Sequence, residues 1–252
     1  MNGLFTGLQF EEKEKNVRYR REPGYENLNT FNDLRDSLMH MVVHDMRNML
    51  TSVFGHIQIL QQTDLDDAQR QCADIVFKGL QNVIELSNTV IDVNRLEQGK
   101  LPLNKKQYEI DTILNEAVRL LGALPTDCHI RTEVVEGPLF VHCDADLIRR
   151  VLFNLLGNAV KYTEGNDMVR VIASRAGERV KVSVVDSGPG IPVEFHHKIF
   201  EKYFQVELRK KDIPSTGLGL AFCKMVIDAH QGEIGVQSVP GEGSIFWFEL
   251  PA

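Results

Sequence analysis

A chain of 252 residues with 43% hydrophobic side chains can bury the cores of one or two domains. Its net charge of −7 carries no general nucleic-acid footprint, so no nucleic-acid partner is expected. Four scattered cysteines (Cys72, Cys128, Cys143 and Cys223) form no C-x-x-C, which argues against a zinc site or a disulfide framework and for a cytoplasmic protein.

No apolar run approaches 18 residues, and the first ten residues lack a signal-peptide layout, so no membrane segment is expected. The chain reads as soluble, or as the soluble part of something longer. Residues 1–26 hold mixed-sign charge runs broken by Pro23–Gly24 and read as a tail or a connector. From about Leu28 to Gln61 apolar residues recur at steps of three and four, predicting a long helix. Within it, His44, Asp45, Arg47 and Asn48 place four polar groups in five positions. His44, Arg47 and Asn48 share one side of the helix, a pattern that a packing helix does not need. The plainer reading is a solvated face with a chance histidine.

Residues 63–67 form a polar turn with N-cap candidates, and a second helix is predicted from Asp67 to Glu97, stopped by Gly99 and Pro102. Each helix would be about 45 Å long. A lone hairpin of that length cannot bury two apolar stripes, so a homodimer with a four-helix bundle is expected. The alternative is a monomeric hairpin packed on the domain that follows. Residues 27–99 are thus read as the hairpin domain, 100–106 as a linker and 107–252 as a second, α/β domain.

In that second domain the pattern predicts helices at 110–121 and 146–160, strands at 130–135, 139–143, 168–173 and 180–185, and a terminal hairpin of 234–239 with 244–250. The expected architecture is a mixed sheet with about three helices on one face. Three polar clusters interrupt it. Asn154, Asn158 and Lys161 fall at i, i+4 and i+7, opposite the leucines, with Tyr162 next. Amide oxygens suit Mg²⁺, and a lysine beside them suits phosphate. Asp186–Ser–Gly188–Pro–Gly190 follows a buried strand, where a carboxylate and close-approach glycines can meet an exocyclic amine; alone it could be an ordinary turn. Gly217–Leu218–Gly219 opens a helix whose N-terminus favours anions. Between the last two clusters, Phe200–Phe204 precedes a basic segment containing Arg209 and Lys210, read as a mobile loop.

These clusters, in this order, resemble the transmitter core of sensor histidine kinases of two-component systems. The H box is His44–Asn48, the N box Asn154–Tyr162, the G1 box Asp186–Gly190, the F box Phe200–Phe204 and the G2 box Gly217–Gly219. The resemblance covers residues 28–252. It implies an α+β fold: a dimerisation and phosphotransfer hairpin, then a Bergerat-type ATP-binding sandwich. It also implies ATP and Mg²⁺ as cofactors, a response-regulator receiver domain as partner, and an upstream sensor domain or protein outside this chain.

Carried onto this sequence, His44 would be the phosphorylated nucleophile and Asp45 its base. Asn48, at i+4 from His44 with an amide able to orient water, is expected to serve dephosphorylation of the partner, the plainer reading being a hydrogen bond within the bundle. Asn158 would hold Mg²⁺, and Asn154 would shape the site. Lys161 and Tyr162 would flank the phosphates and the nucleotide. Asp186 would read the adenine amine, and Gly188, Gly190, Gly217, Leu218 and Gly219 would line the nucleotide. The chain departs from the commonest pattern at Asp45 (usually Glu), at Asn48–Met49 (usually Thr–Pro) and at Gln205, where some members carry an arginine. Lys202, Arg209 or Lys210 would then supply that charge. Two other classes fit parts of the pattern. A conformational ATPase of the gyrase, MutL and Hsp90 superfamily lacks a preceding hairpin with His44–Asp45. A degenerate kinase acting only as a binding partner would not need an intact Asn158 and Asp186.

Overall fold

The computed structural model describes residues 41, 46, 49–122, 128–163, 167–206 and 216–252. The expected tail (1–26), the start of the first helix, and His44, Asp45, Arg47 and Asn48 lie outside the described residues. So do Arg209 and Lys210.

Residues 49–61 are helical and are called α1 here. Helix α2 runs Asp67–Glu97, the expected span. Its N-terminus is fixed by a capping box, in which Asp66 accepts from the Gln69 N–H while the Gln69 side chain reaches back to the Asp66 N–H. At the other end Gly99 takes a positive φ of 62°, and the Lys100 N–H closes on the Arg95 carbonyl at 2.9 Å. A side chain there would strain the turn, so the helix stops at the glycine. Stacked Phe54 and Phe77 rings, 4.7 Å apart, and a Gln61–Asp74 hydrogen bond of 2.7 Å hold α1 against α2. The hairpin leaves Met49 (70% exposed), Ile59 (64%) and Ile75 (63%) in water. Large apolar side chains left exposed in this way are a feature of association surfaces.

After α2 come β1 (Lys106–Glu109), α3 (Ile110–Gly122), β2 (His129–Val134), β3 (Phe140–Cys143), α4 (Ala145–Tyr162), β4 (Met168–Ala176) and β5 (Arg179–Asp186). Two 3₁₀ turns, Val193–Phe195 and Lys198–Phe200, lead towards α5 (Gly219–Ala229), and β6 (Glu233–Val239) and β7 (Gly243–Pro251) close the chain. Five strands form one mixed sheet in the order β2-β4-β5-β7-β6, with β2 parallel to β4 and the other pairs antiparallel.

Two features differ from the expectation. Residue 106 begins a strand instead of ending a linker, and β1 pairs with β3 in a separate two-stranded sheet. Lys–Gln–Tyr–Glu carries no alternation of apolar residues, so its pairing is set by β3 and not by its own pattern. Among the described residues no helix is long and apolar enough to cross a membrane.

The core lies between the large sheet and the helices. Val180, Val182 and Val184 of β5 and Phe246, Phe248 and Leu250 of β7 face Ile148, Leu152, Leu155 and Leu156 of α4 across it. Val93 near the end of α2 joins this core, and Leu96, Leu101 and Leu103 pack against it.

Asp144 ties three segments together at the start of α4. Its carboxylate accepts from the Leu147 N–H (3.3 Å), which caps the helix, and from the Asn104 N–H (2.9 Å). Its own N–H donates to His230 Nε2 at 3.0 Å, and His230 Nδ1 donates to the Val226 carbonyl at 2.7 Å. Both ring nitrogens are thereby committed, and the ring is neutral in the Nδ1–H form. His230 is 1% exposed. Burial pulls its pKa below the ordinary value; the Val226 bond opposes this, Lys105 lowers it further, Asp144 opposes, and His142 adds a small lowering effect. The unfolded chain therefore binds a proton that the folded chain refuses as pH drops below about 6.5. This contribution is fully present above that pH and is lost on acidification. The predicted outcome is a thermal stability that falls on the acid side with a slope of up to about 1.4 kcal/mol per pH unit from this group. The slope is shallower in His230→Gln. Parallel stability curves for the two proteins would refute it.

Candidate functional site

Helix α4 presents two faces. Leu147, Ile148, Val151, Leu152, Leu155, Leu156 and Ala159 are buried against the sheet. The 3.6-residue period then fixes Asn154, Asn158 and Lys161 on a half-buried stripe beside them. The Asn154 Nδ2 donates to the Arg150 carbonyl at 3.1 Å, which turns its Oδ1 outward. Among the described residues no hydrogen bond occupies the Asn158 amide, and no three His, Cys, Asp or Glu side chains come together as a group able to hold a metal. Lys161 Nζ lies 5.2 Å from the Tyr162 ring centroid. Burial pulls the Lys161 pKa down and pushes that of Tyr162 up.

Contacts at glycine join this helix to the other motifs. A methyl group at Gly219 would lie 3.0 Å from Asn154 Oδ1, so the start of α5 abuts the asparagine stripe. A methyl group at Gly188 would lie 2.9 Å from Asp186 Oδ1 and 3.0 Å from the Tyr162 carbonyl, so the loop after β5 abuts the end of α4. Gly217 has φ +66°, and its Cα faces the Tyr203 backbone, where a methyl group would come within 2.7 Å. The Tyr203 N–H donates to the Gly217 carbonyl at 2.9 Å. The expected N, G1, F and G2 boxes thus meet around the polar side of α4.

Asp186 is the last residue of β5 and is 8% exposed. Burial raises its pKa, while the N–H groups of Gly188 (2.9 Å) and Ser244 stabilise the carboxylate and lower it. The start of α5 aims free N–H groups and the positive end of the helix dipole into the same region. The arrangement can hold an anion at one end, with lysine and helix dipole, and a hydrogen-bond donor at the other, at the carboxylate.

Other expected residues have different surroundings. The backbone at Gly190 packs on the β6–β7 turn, where a methyl group would sit 2.0 Å from the Val239 carbonyl oxygen, so that contact already accounts for the glycine. Leu218 is 3% exposed, so it has little surface to offer a ligand. Lys202 forms an ion pair with Glu97 of α2. Sequence reading missed Arg150, which lies four residues before Asn154 on the same stripe. Its guanidinium stacks 4.4 Å from the Phe222 ring centroid and pairs with Asp92 of α2. It also missed Ser244, which the strand register places directly opposite Asp186. The i−4 spacing could have signalled Arg150; nothing local could have signalled Ser244.

Comparisons with known proteins bear on the family. Residues 34–99 match the His Kinase A (phospho-acceptor) domain, and residues 143–252 match the histidine kinase-, DNA gyrase B- and HSP90-like ATPase family. The adaptive-response sensory kinase SasA of Crocosphaera subtropica is 32% identical over 92% of this chain. The chain spans 63% of that relative's length. Full-length ShkA, solved with AMPPNP, superposes with a TM-score of 0.71 at 29% identity, covering 85% of this chain and 45% of ShkA. The histidine kinase ThkA is similar both as an isolated catalytic domain (30% identity, TM-score 0.52, 59% of this chain and 97% of that one) and in complex with the response regulator TrrA (25%, 0.56, 90% and 63%). With a phospho-acceptor region ahead of an ATPase domain, and the nucleotide motifs drawn together at α4, the chain belongs to the sensor histidine kinase family.

Proposed function

We propose that this chain is a kinase core that binds ATP, phosphorylates its own His44 and passes the phosphoryl group to an aspartate of a response regulator. The observation that carries the reading is the meeting of Asn154, Tyr162, Gly188 and Gly219, from three separated motifs, beside the buried Asp186 carboxylate. We further propose residues 27–99 as the dimerisation and phosphotransfer hairpin, 100–105 as the linker and 106–252, starting with β1, as the catalytic domain. The exposed Met49, Ile59 and Ile75 support a homodimer. ThkA's complex with TrrA supports a receiver domain as the partner.

In this reading the adenine amine donates to Asp186, and the phosphates lie towards Lys161 and the N-terminus of α5. The Asn158 amide oxygen, a hard donor with no competing bond among the described residues, would hold Mg²⁺ together with phosphate oxygens. The metal, when bound, supplies charge neutralisation at the phosphates. Asp45 accepts the proton from one ring nitrogen of His44, leaving the lone pair on the other to attack the γ-phosphorus. A nitrogen–phosphorus bond forms, the bond to the β–γ bridging oxygen breaks, and ADP leaves with that electron pair. Positioning and charge supply most of the acceleration. Transfer then replaces the phosphohistidine bond with an acyl phosphate on the regulator.

His44→Ala should abolish incorporation of label from γ-labelled ATP and leave nucleotide affinity unchanged by calorimetry; label retained on another histidine would reassign the acceptor. Asp186→Asn should weaken ATP binding by about one to two decades, since a charge-assisted hydrogen bond contributes roughly 1.5–3 kcal/mol. Unchanged affinity would move the base contact elsewhere. Asn48 is four residues after His44 in the sequence, and on a helix that spacing would let its amide orient a water molecule towards a phosphoryl group docked at the histidine. Asn48→Ala is therefore expected to autophosphorylate normally yet slow the loss of label from a phosphorylated regulator. Equal decay with both proteins would make Asn48 a packing residue.

A further inference from the structure

Asp186, Ser244 and Ser238 occupy one row across three strands, paired Asp186↔Ser244 and Ser238↔Ser244. Directly paired residues project to the same face of a sheet, here the helix-covered face of Val184 and Phe246. Ser238 Oγ lies 2.7 Å from the Gly243 carbonyl, 2.8 Å from the Ile191 N and 2.9 Å from Ser244 Oγ. A hydroxyl has one proton and two lone pairs. The Gly243 carbonyl can only accept, so it takes the Ser238 proton. The Ile191 N–H can only donate, so it takes one lone pair. The Ser244 hydroxyl must therefore donate to the other, and its own outward character is reduced to lone pairs. Ser238 is then saturated and has nothing left for a ligand.

We propose that Ser238 is a positioning residue for nucleotide choice. It pins the loop after β5 through Ile191 and turns the Ser244 hydroxyl so that, beside Asp186, this corner presents only acceptors. Such a corner matches the exocyclic amine of adenine and opposes the carbonyl oxygen that inosine carries at the same position. The inference rests on the reading of Asp186 as the contact to the base. A second connection holds the same loop, because the Gly241 N–H donates to the Pro189 carbonyl at 2.8 Å. Loss of Ser238 should therefore loosen the loop without detaching it.

The test is calorimetric titration of the full chain with AMPPNP and with inosine triphosphate. The proteins are wild type, Ser238→Ala, Ser238→Thr, Ser244→Ala and Asp186→Asn, each with an apo melting curve. Ser238→Ala should lose roughly tenfold in AMPPNP affinity and narrow the preference over the inosine nucleotide, while Ser238→Thr, which keeps the hydroxyl, should restore both. Ser244→Ala leaves the Ile191–Ser238–Gly243 clamp intact and should narrow the preference with a smaller loss of affinity, which keeps the test valid if Ser238→Ala does not fold. An unchanged preference in both alanine variants overturns the proposal, as does a Ser238→Thr variant that behaves like Ser238→Ala. If Asp186→Asn also binds AMPPNP as wild type does, the nucleotide reading itself fails. If only Asp186→Asn is impaired, the role of Ser238 alone fails.

Discussion

The site depends on α4 being fixed in rotation about its own axis. Eight of its residues are buried against the sheet, and each large one contributes roughly 1.5–3 kcal/mol by leaving water. Turning the helix by one residue, about 100°, would expose that face, so the stripe of Asn154, Asn158 and Lys161 has one possible direction. Asp144 sets where the helix begins and binds that point to the segment entering from α2 and to His230 after α5. The polar stripe is positioned by hydrophobic packing behind it, and the motifs on the loops then close against the helix through glycine.

The end of α2 meets the domain through two kinds of contact. Val93 is buried and Leu96 packs beside it. Around them Asp92 pairs with Arg150 and Glu97 with Lys202. Partly exposed ion pairs contribute about 0–1 kcal/mol each, so the apolar contact dominates adhesion here. The charges do something else: two basic side chains of the domain, Arg150 and Lys202, are held by carboxylates of the hairpin.

At the opposite end of the site the chemistry is that of a buried acid. Desolvation disfavours the Asp186 carboxylate, and two backbone N–H groups restore part of that cost. One N–H comes from within the glycine motif and the other from a neighbouring strand. The Gly188 N–H is available because its loop has no side chain there, and the Ser244 N–H because β7 runs antiparallel beside β5.

Much of this was legible in the sequence. The 3.6-residue period gave α2 and α3 nearly to the residue and separated the leucine face of α4 from its asparagine stripe, because a helix repeats its pattern over many turns. The order of His44, Asn154, Asp186, Phe200 and Gly217 pointed to the family, since each motif needs a residue type with little chemical substitute. What the sequence could not decide was anything that required one strand's register on another. Strand β1 has no pattern of its own and exists because β3 offers it backbone partners. Arg150 and Lys202 read as basic residues, and only the docking of α2 shows which carboxylates hold them. The serine row beside Asp186 joins residues more than 50 positions apart. Local spacing carries no information about pairing at that distance, because register is set by the whole packed sheet.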